Sequence, residues 1–180
     1  MGYPNAGKST LLAGLTRAFP KIAPYPFTTL RPYLGNLNFL DGTRMVIADL
    51  PGIIEGAHKN KGLGLEFLKH VERTKALLYV IDGSGTSELD TLQIYNMLRT
   101  ELKEYNPELL KKPSLIALNK CDLNPKKFEE KCEELRNIAH TKVIPISAKN
   151  SINLEELAFD MKEIISNTDI EQDTKEAIII

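Results

Sequence analysis

Residues Gly2-Tyr3-Pro4-Asn5-Ala6-Gly7-Lys8-Ser9 match the pattern G-x-x-x-x-G-K-[ST]. No other feature constrains the fold as tightly, because the pattern works only as a loop that opens directly into a helix. Its glycines let backbone N–H groups curl around a β-phosphate while the helix presents its positive end. Lys8 can neutralise β/γ oxygens and the Ser9 hydroxyl can ligate Mg²⁺. The plainer alternative is a glycine-containing turn before an ordinary helix, and the motifs downstream weigh against it. We take Gly2 to Thr10 as the candidate phosphate-binding segment.

At 180 residues the chain fits one domain with a substantial core. A formal net charge of -1 excludes an overall basic footprint, so nucleic acid or anionic membrane must be argued locally. Cys121 and Cys132 match neither a zinc-ligand spacing nor a disulfide framework, which points to reduced thiols inside a cell. The longest unbroken apolar stretch is Ala76 to Ile81, far below the ~20 residues of a membrane span. The opening residues have no basic and apolar leader pattern, and Ala6 breaks the myristoylation pattern. No targeting segment or membrane partner is expected.

Apolar runs alternate with longer amphipathic segments at βα spacing, predicting an α/β fold. A helix is expected from about Lys8 to Phe19, then a long loop through Pro24, Pro26 and Pro32. Leu34 to Leu40 and Arg44 to Ala48 flank Asp41-Gly42, a tight-turn pair, and so predict an antiparallel hairpin. Parallel buried strands are expected at Ala76 to Asp82, Ser114 to Asn119 and Lys142 to Ser147, each ending in polar residues at the edge where ligands bind. Helices fall around Gly64 to Thr74, Thr91 to Tyr105, Lys126 to Ala139 and Asn153 to Ser166. The domain boundary is placed at 167, with Thr168 to Ile180 as a loosely ordered tail.

Three further motifs follow in order. Asp49-Leu50-Pro51-Gly52 follows the hairpin, where an aspartate can hold Mg²⁺ through water and a glycine N–H can meet a γ-phosphate. Asn119-Lys120-Cys121-Asp122 closes a buried strand, and a carboxylate there can accept from both the ring N–H and the amino group of guanine, a pattern adenine lacks. Ser147-Ala148-Lys149 closes the last strand and can offer backbone N–H groups to the guanine oxygen. Four such segments, each at a strand end, point to a GTP/GDP site of the P-loop type.

The chain resembles translation-factor-class GTPases, and specifically the G domain of the Obg family. The likeness covers about residues 2 to 166 and rests on GYPNAGKST, on YPFTTLRPYLG from Tyr25 to Gly35, on DLPGIIEGAHKNKGLG from Asp49 to Gly64, and on FLKHVERT from Phe67 to Thr74. It implies a three-layer P-loop NTPase fold, a mostly parallel sheet with one antiparallel edge hairpin. Phe27, Thr28, Thr29, Leu30 and Arg31 would form switch I, with Thr29, or its neighbour Thr28, closing onto Mg²⁺ beside Ser9 and Asp49. Ile53 stands where Ras-like GTPases carry a water-orienting glutamine. Asn5 looks like the asparagine of potassium-stimulated GTPases, although an asparagine also suits a tight turn. Catalytic roles therefore fall on Lys8, Asn5, Thr29 and Gly52, with slow hydrolysis stimulated by K⁺. The form H-x-N-K-G-L-G leans toward the eukaryotic and organellar branches. The resemblance also implies a monomer that acts in large-ribosomal-subunit assembly, in mitochondria or in the cytoplasm or nucleolus. Lys59, Lys61, Lys69, Arg73 and Lys75 beside switch II could face ribosomal RNA or simply form a solvated face.

In that fold a central strand precedes the phosphate loop, yet only Met1 precedes Gly2 here. The expectation is a chain lacking this strand and the family's glycine-rich N-terminal domain. Its two strand neighbours would be left unpaired, with poor stability and weak nucleotide binding. A non-catalytic guanine-nucleotide-binding module is the alternative to a working GTPase.

Overall fold

The computed structural model describes residues 1–16, 21–22, 33–49, 71–87, 89–167 and 177–179. In chain order these carry α1 (Lys8–Thr16), β1 (Lys21–Ile22), β2 (Tyr33–Asn38), β3 (Arg44–Asp49), β4 (Ala76–Asp82) and α2 (Thr91–Tyr105). A short 3₁₀ turn (Pro107–Lys111) leads to β5 (Ser114–Asn119), α3 (Pro125–Ala139), β6 (Val143–Pro145), α4 (Leu154–Ser166) and β7 (Ala177–Ile179). Among the described residues seven strands form one sheet, in the order β1-β2-β3-β7-β4-β5-β6.

Every residue of β4 is buried, which accounts for its unbroken apolar run. Its side chains alternate between two cores. Leu77, Tyr79 and Ile81 pack with Ile94, Leu98 and Leu102 of α2 and with Phe128, Cys132 and Leu135 of α3. Leu78 and Val80 pack on the other face with Leu11, Leu12 and Leu15 of α1 and with Leu157, Met161 and Ile165 of α4. Each large apolar side chain removed from water contributes about 1.5–3 kcal/mol, so the three layers are held mainly by these two faces. The β2–β3 hairpin turns where expected: Gly42 has φ +86°, and its N–H donates to the Phe39 carbonyl at 3.0 Å.

β4 and β5 run parallel with Asp82 opposite Asn119, so two polar residues emerge side by side at one sheet edge. β6 is shorter than expected. Pro145 offers no N–H to the ladder, the Ile146 N–H donates instead to the Leu118 carbonyl at 2.8 Å, and Ser147 turns to pair with Ile152. Residues 21–22, expected within a loop, pair antiparallel with β2. The described part of α1 ends at Thr16, and of the helix expected around Gly64 to Thr74 only residues 71–74 are described, helical at 71–72.

The expected gap in the sheet is corrected. β7 runs parallel between β3 and β4, with Ile178 opposite both Ile47 and Ala76 and Ile179 opposite both Ala48 and Leu77. Three residues of the segment expected to be a loose tail thus occupy the central position, and the facing backbones are paired there. The physical reason lies in the run Ala177-Ile178-Ile179, apolar throughout and with two β-branched isoleucines, which suits a strand flanked on both sides. Met1 continues the same slot: its amino group donates to the Leu78 carbonyl, and the Val80 N–H donates to the Met1 carbonyl at 2.6 Å.

Candidate functional site

The loop from Gly2 to Gly7 leaves the sheet at Val80 and turns sharply into α1. Gly2 is required by proximity, since a Cβ there would lie 2.3 Å from the Val80 carbonyl oxygen. The Ala6 N–H donates back to the Tyr3 carbonyl at 3.2 Å, and Asn5 adopts a left-handed φ of +62°, which asparagine tolerates well. Gly7 has φ +94°, after which the Leu11 N–H to Gly7 carbonyl bond at 2.8 Å starts the helix.

Lys8 is buried, and its Nζ donates to the carbonyls of Gly2 at 2.9 Å and Tyr3 at 3.2 Å. Burial pushes its pKa down, and the nearby Asp49 carboxylate opposes that shift. A buried cation held by neutral carbonyls suits a phosphate well, since an anion would restore the favourable charge interaction that desolvation removed. Asp49 ends β3 with Oδ2 accepting from the Ser9 hydroxyl at 2.8 Å. Its pKa is raised by burial, against the Ser9 hydrogen bond and the charges of Lys8 and the amino terminus. Asp49 Oδ1 is buried with no hydrogen-bond partner among the described residues. An orphaned carboxylate oxygen beside a serine hydroxyl is the donor set that a hydrated Mg²⁺ takes, so these residues fit the ion. When bound, the ion would offset the charge of the phosphate oxygens.

The base-recognition end is built on β5 and β6. Asn119 is buried, and its carboxamide donates through Nδ2 to the Ala6 carbonyl at 2.8 Å and accepts through Oδ1 from the Ala148 N–H at 2.9 Å. One side chain therefore ties the phosphate loop to the Ser147-Ala148-Lys149 loop. Lys120 takes φ +69° and pairs with Asp82 at 2.6 Å, while the Cys121 N–H donates to the Ile146 carbonyl at 3.0 Å. Asp122 is held below the usual carboxylate range chiefly by a hydrogen bond from Ser147, so it stays an ionised acceptor facing the same loop. Ser147 and Ala148 are buried and Lys149 is exposed.

The structure thus brings together Gly2, Tyr3, Pro4, Asn5, Ala6, Gly7, Lys8, Ser9, Thr10 and Asp49 at one end, and Asn119, Lys120, Cys121, Asp122, Ser147, Ala148 and Lys149 at the other, along a single sheet edge. Phe27 to Arg31, Leu50 to Gly52 and the basic residues Lys59, Lys61 and Lys69 lie outside the described residues. Sequence reasoning missed Asp82, whose Oδ1 accepts from the Ser84 N–H at 2.9 Å and hydroxyl at 2.6 Å while Oδ2 accepts from Lys120. The available signal was its place as the polar end of a buried strand.

Residues 1–120 match the family described as 50S ribosome-binding GTPase. GTPase Obg of Symbiobacterium thermophilum is 56% identical over 123 residues, covering 68% of this chain and 29% of that protein. GTPase Obg of Methylacidiphilum infernorum is 50% identical over 156 residues, covering 86% and 42%. The chain thus spans less than half the length of these relatives, both of them bacterial, and they lend no support to a eukaryotic or organellar origin. The crystal structure of nucleolar GTP-binding protein 1 from Plasmodium falciparum superposes with TM-score 0.69 at 20% identity, covering 92% of this chain and 84% of that one, which supports the fold alone. A phosphate loop, an aspartate tied to its serine and a guanine-type edge, carried on a sheet of this order with that family match, place the chain in the family of 50S ribosome-binding GTPases as an Obg-type G domain.

Proposed function

We propose that the chain binds GTP and GDP with Mg²⁺ and hydrolyses GTP to GDP and phosphate, its nucleotide state acting as a switch. The observation that carries this reading is the Asn119 bridge, which holds the phosphate loop and the Ala148 loop at one fixed separation, as a ligand with a polyphosphate at one end and a base at the other requires. Loop N–H groups and Lys8 hold the phosphates, Ser9 and Asp49 take the ion, and Asp122 with the Ala148 loop reads guanine. Thr29 (or Thr28) of switch I closes onto Mg²⁺ when the γ-phosphate is present, and the Gly52 N–H meets that phosphate. Because Ile53 offers no group to orient water, turnover is slow, and Asn5 would hold a K⁺ ion whose charge would favour the phosphate oxygens. By its likeness to the Obg relatives, the chain belongs to a monomeric protein working in assembly of the large ribosomal subunit inside the cell, in mitochondria or in the cytoplasm or nucleolus.

Competition binding of mant-GDP against GTP and ATP, with phosphate release followed in K⁺ and in Na⁺, tests the reading. GTP should compete while ATP does not, and release should be faster in K⁺, with the difference lost in Asn5→Ala. Equal competition by ATP overturns guanine binding, and tight GDP binding without phosphate release leaves only the binding-module reading. Co-sedimentation with isolated large ribosomal subunits in GTP but not GDP tests the assembly role.

A further inference from the structure

A cavity of about 400 Å³ lies at the end of the sheet away from the nucleotide edge, a volume that suits a small ligand. Its walls are Tyr95 and Arg99 of α2, Ile138 and Ala139 at the close of α3, and the segment from Leu110 to Ser114 that leads into β5. Ser114 begins the strand that Asn119 ends, so the length of β5, roughly 16 Å, separates the cavity from the Asn119 bridge. The described residues lining it include Arg99, Lys112 and His140 and no aspartate or glutamate. Arg99 is held in place: its guanidinium lies 5.6 Å from the Tyr95 ring centroid, and Nη1 donates to the Tyr95 hydroxyl at 3.2 Å. That bond uses one of five N–H groups, and the planar fork that remains suits the oxygens of an oxyanion. Lys112 is half-buried, with Nζ donating to the carbonyls of Glu72 and Thr74. Burial pushes its pKa down, against the charge of Glu72, whose carboxylate accepts from Asn106 at 3.3 Å and does not line the cavity. Among the described residues neither cation is ion-paired with a carboxylate, so the cavity holds a charge surplus that an anion relieves. The α3 C-terminus opposes an anion with roughly half an elementary charge, against two full positive ones, and its Ala139 carbonyl already accepts from the Tyr95 hydroxyl at 3.2 Å.

We propose that this cavity is a second anion site, which takes the dianionic phosphate of a small phosphorylated ligand between Arg99 and Lys112. Charge selects the phosphate monoester: it carries about −1.5 to −2 at pH 7 on three acceptor oxygens, whereas a carboxylate or a backbone phosphodiester brings a single negative charge to the same two cations. Asn96 and His140, both exposed, add donors at the rim, and Leu110, Pro113 and Ile138 offer the body of the ligand an apolar wall. The inference uses no residue of the nucleotide site and needs no hydrolysis, so it goes beyond the GTPase reading and stands apart from it.

The test titrates phenyl phosphate, a dianion on an apolar ring, into the full chain with GDP and Mg²⁺ present, and follows amide and arginine Nε shifts by ¹H–¹⁵N NMR. The amides of Gly7 and Ala148 report the nucleotide site in the same spectra, so a failure of GDP binding and a failure of this proposal are read separately. Saturable shifts are expected at Asn96, Arg99 and Ser114, at about millimolar phenyl phosphate or below. Arg99→Gln removes a charge-assisted bond and should weaken phenyl phosphate about 10-fold or more, with GDP affinity that of the parent. Asn96→Asp sets a negative charge at the rim from an exposed position and should weaken it several-fold; this variant decides if Arg99→Gln does not fold. Acetate should shift the same residues only at much higher concentration, and a uridine oligonucleotide without a terminal phosphate should not displace phenyl phosphate. No saturable shift at these residues up to about 10 mM overturns the proposal, as does an affinity unchanged in Arg99→Gln and in Asn96→Asp. Acetate binding as tightly as phenyl phosphate overturns the choice of a dianion, and tighter binding of the oligonucleotide overturns the small ligand in favour of an RNA backbone.

Discussion

The Asn119 side chain donates to the Ala6 carbonyl at 2.8 Å across 113 residues of sequence. Its other end accepts from the Ala148 N–H, so the asparagine serves the site by positioning loops. Asn119→Ala strands a buried carbonyl and a buried N–H, each costing about 1–3 kcal/mol. For a domain of this size, melting should fall by roughly 4–24 °C. Asn119→Asp keeps the acceptor toward Ala148 but sets a carboxylate against the Ala6 carbonyl, so it should weaken GDP binding at least as much as alanine does. Calorimetry and thermal melting check both; a GDP affinity unchanged in either variant would remove the bridging role.

Asp122 faces Ser147 and is held ionised, chiefly by that serine's hydrogen bond. Replacing the carboxylate by a carboxamide in Asp122→Asn turns one of its two acceptors into a donor. Affinity should move from guanine toward xanthine nucleotides, by about 10-fold or more in the ratio, consistent with the worth of one or two charge-assisted hydrogen bonds. Competition of GDP and XDP for the same variant reads it directly, and a preference for GDP that persists in Asp122→Asn would show that another group reads the base.

Much of this was legible in the sequence where the signal is local. β4 and β5 run from Ala76 to Asp82 and from Ser114 to Asn119, as their apolar runs bounded by polar residues predict, and α2 spans Thr91 to Tyr105 as expected. Asp41-Gly42 marked the hairpin because its turn needs a positive φ, observed at Gly42. What stayed hidden depends on distant partners. β7 is three residues long, too short to display a period, and its partners lie more than 90 residues away at Val46 to Ala48 and Ala76 to Leu77. Residues 168–180 mix charges with a terminal isoleucine triplet, a composition that by itself suits a frayed end. The Lys120–Asp82 pair and the second role of Asn119 likewise exist only once β4, β5 and the phosphate loop are side by side.

Gly7 combines a φ of +94° with a packing limit: a Cβ would lie 2.3 Å from Asn119 Nδ2. Gly7→Ala must therefore both strain the backbone and push away the group that ties the loop to Ala148. Strain of this kind costs roughly 1–3 kcal/mol, and displacing the bridge adds to it. GDP binding should fall by more than 10-fold while far-ultraviolet circular dichroism stays that of the parent. Gly2→Ala meets a different obstacle, the Val80 backbone carbonyl at 2.3 Å, which cannot rotate away. It should lower the melting temperature as well as the affinity. A Gly7→Ala protein with the parent's affinity would show that the loop tolerates a side chain there.

Asp82 makes the stability of the site's far side depend on pH. Burial tends to raise its pKa, but the hydrogen bonds from Lys120 and from the Ser84 hydroxyl and N–H outweigh burial and leave it below the usual value. A carboxyl whose pKa is lower in the folded than in the unfolded chain contributes stability that is complete above about pH 4–5, near its unfolded value, and is lost as pH falls through the folded one. The native protein should therefore lose stability on acidification more steeply than Asp82→Asn, which has no proton to take up. At neutral pH Asp82→Asn gives up a charge-assisted bond to Lys120, a loss of about 1.5–3 kcal/mol, and the gap between the two proteins should narrow as pH drops below about 4. Urea unfolding at a series of pH values from neutral down to about 3 measures both curves. Parallel curves would mean that the Asp82 carboxylate has no folded-state partner worth its desolvation.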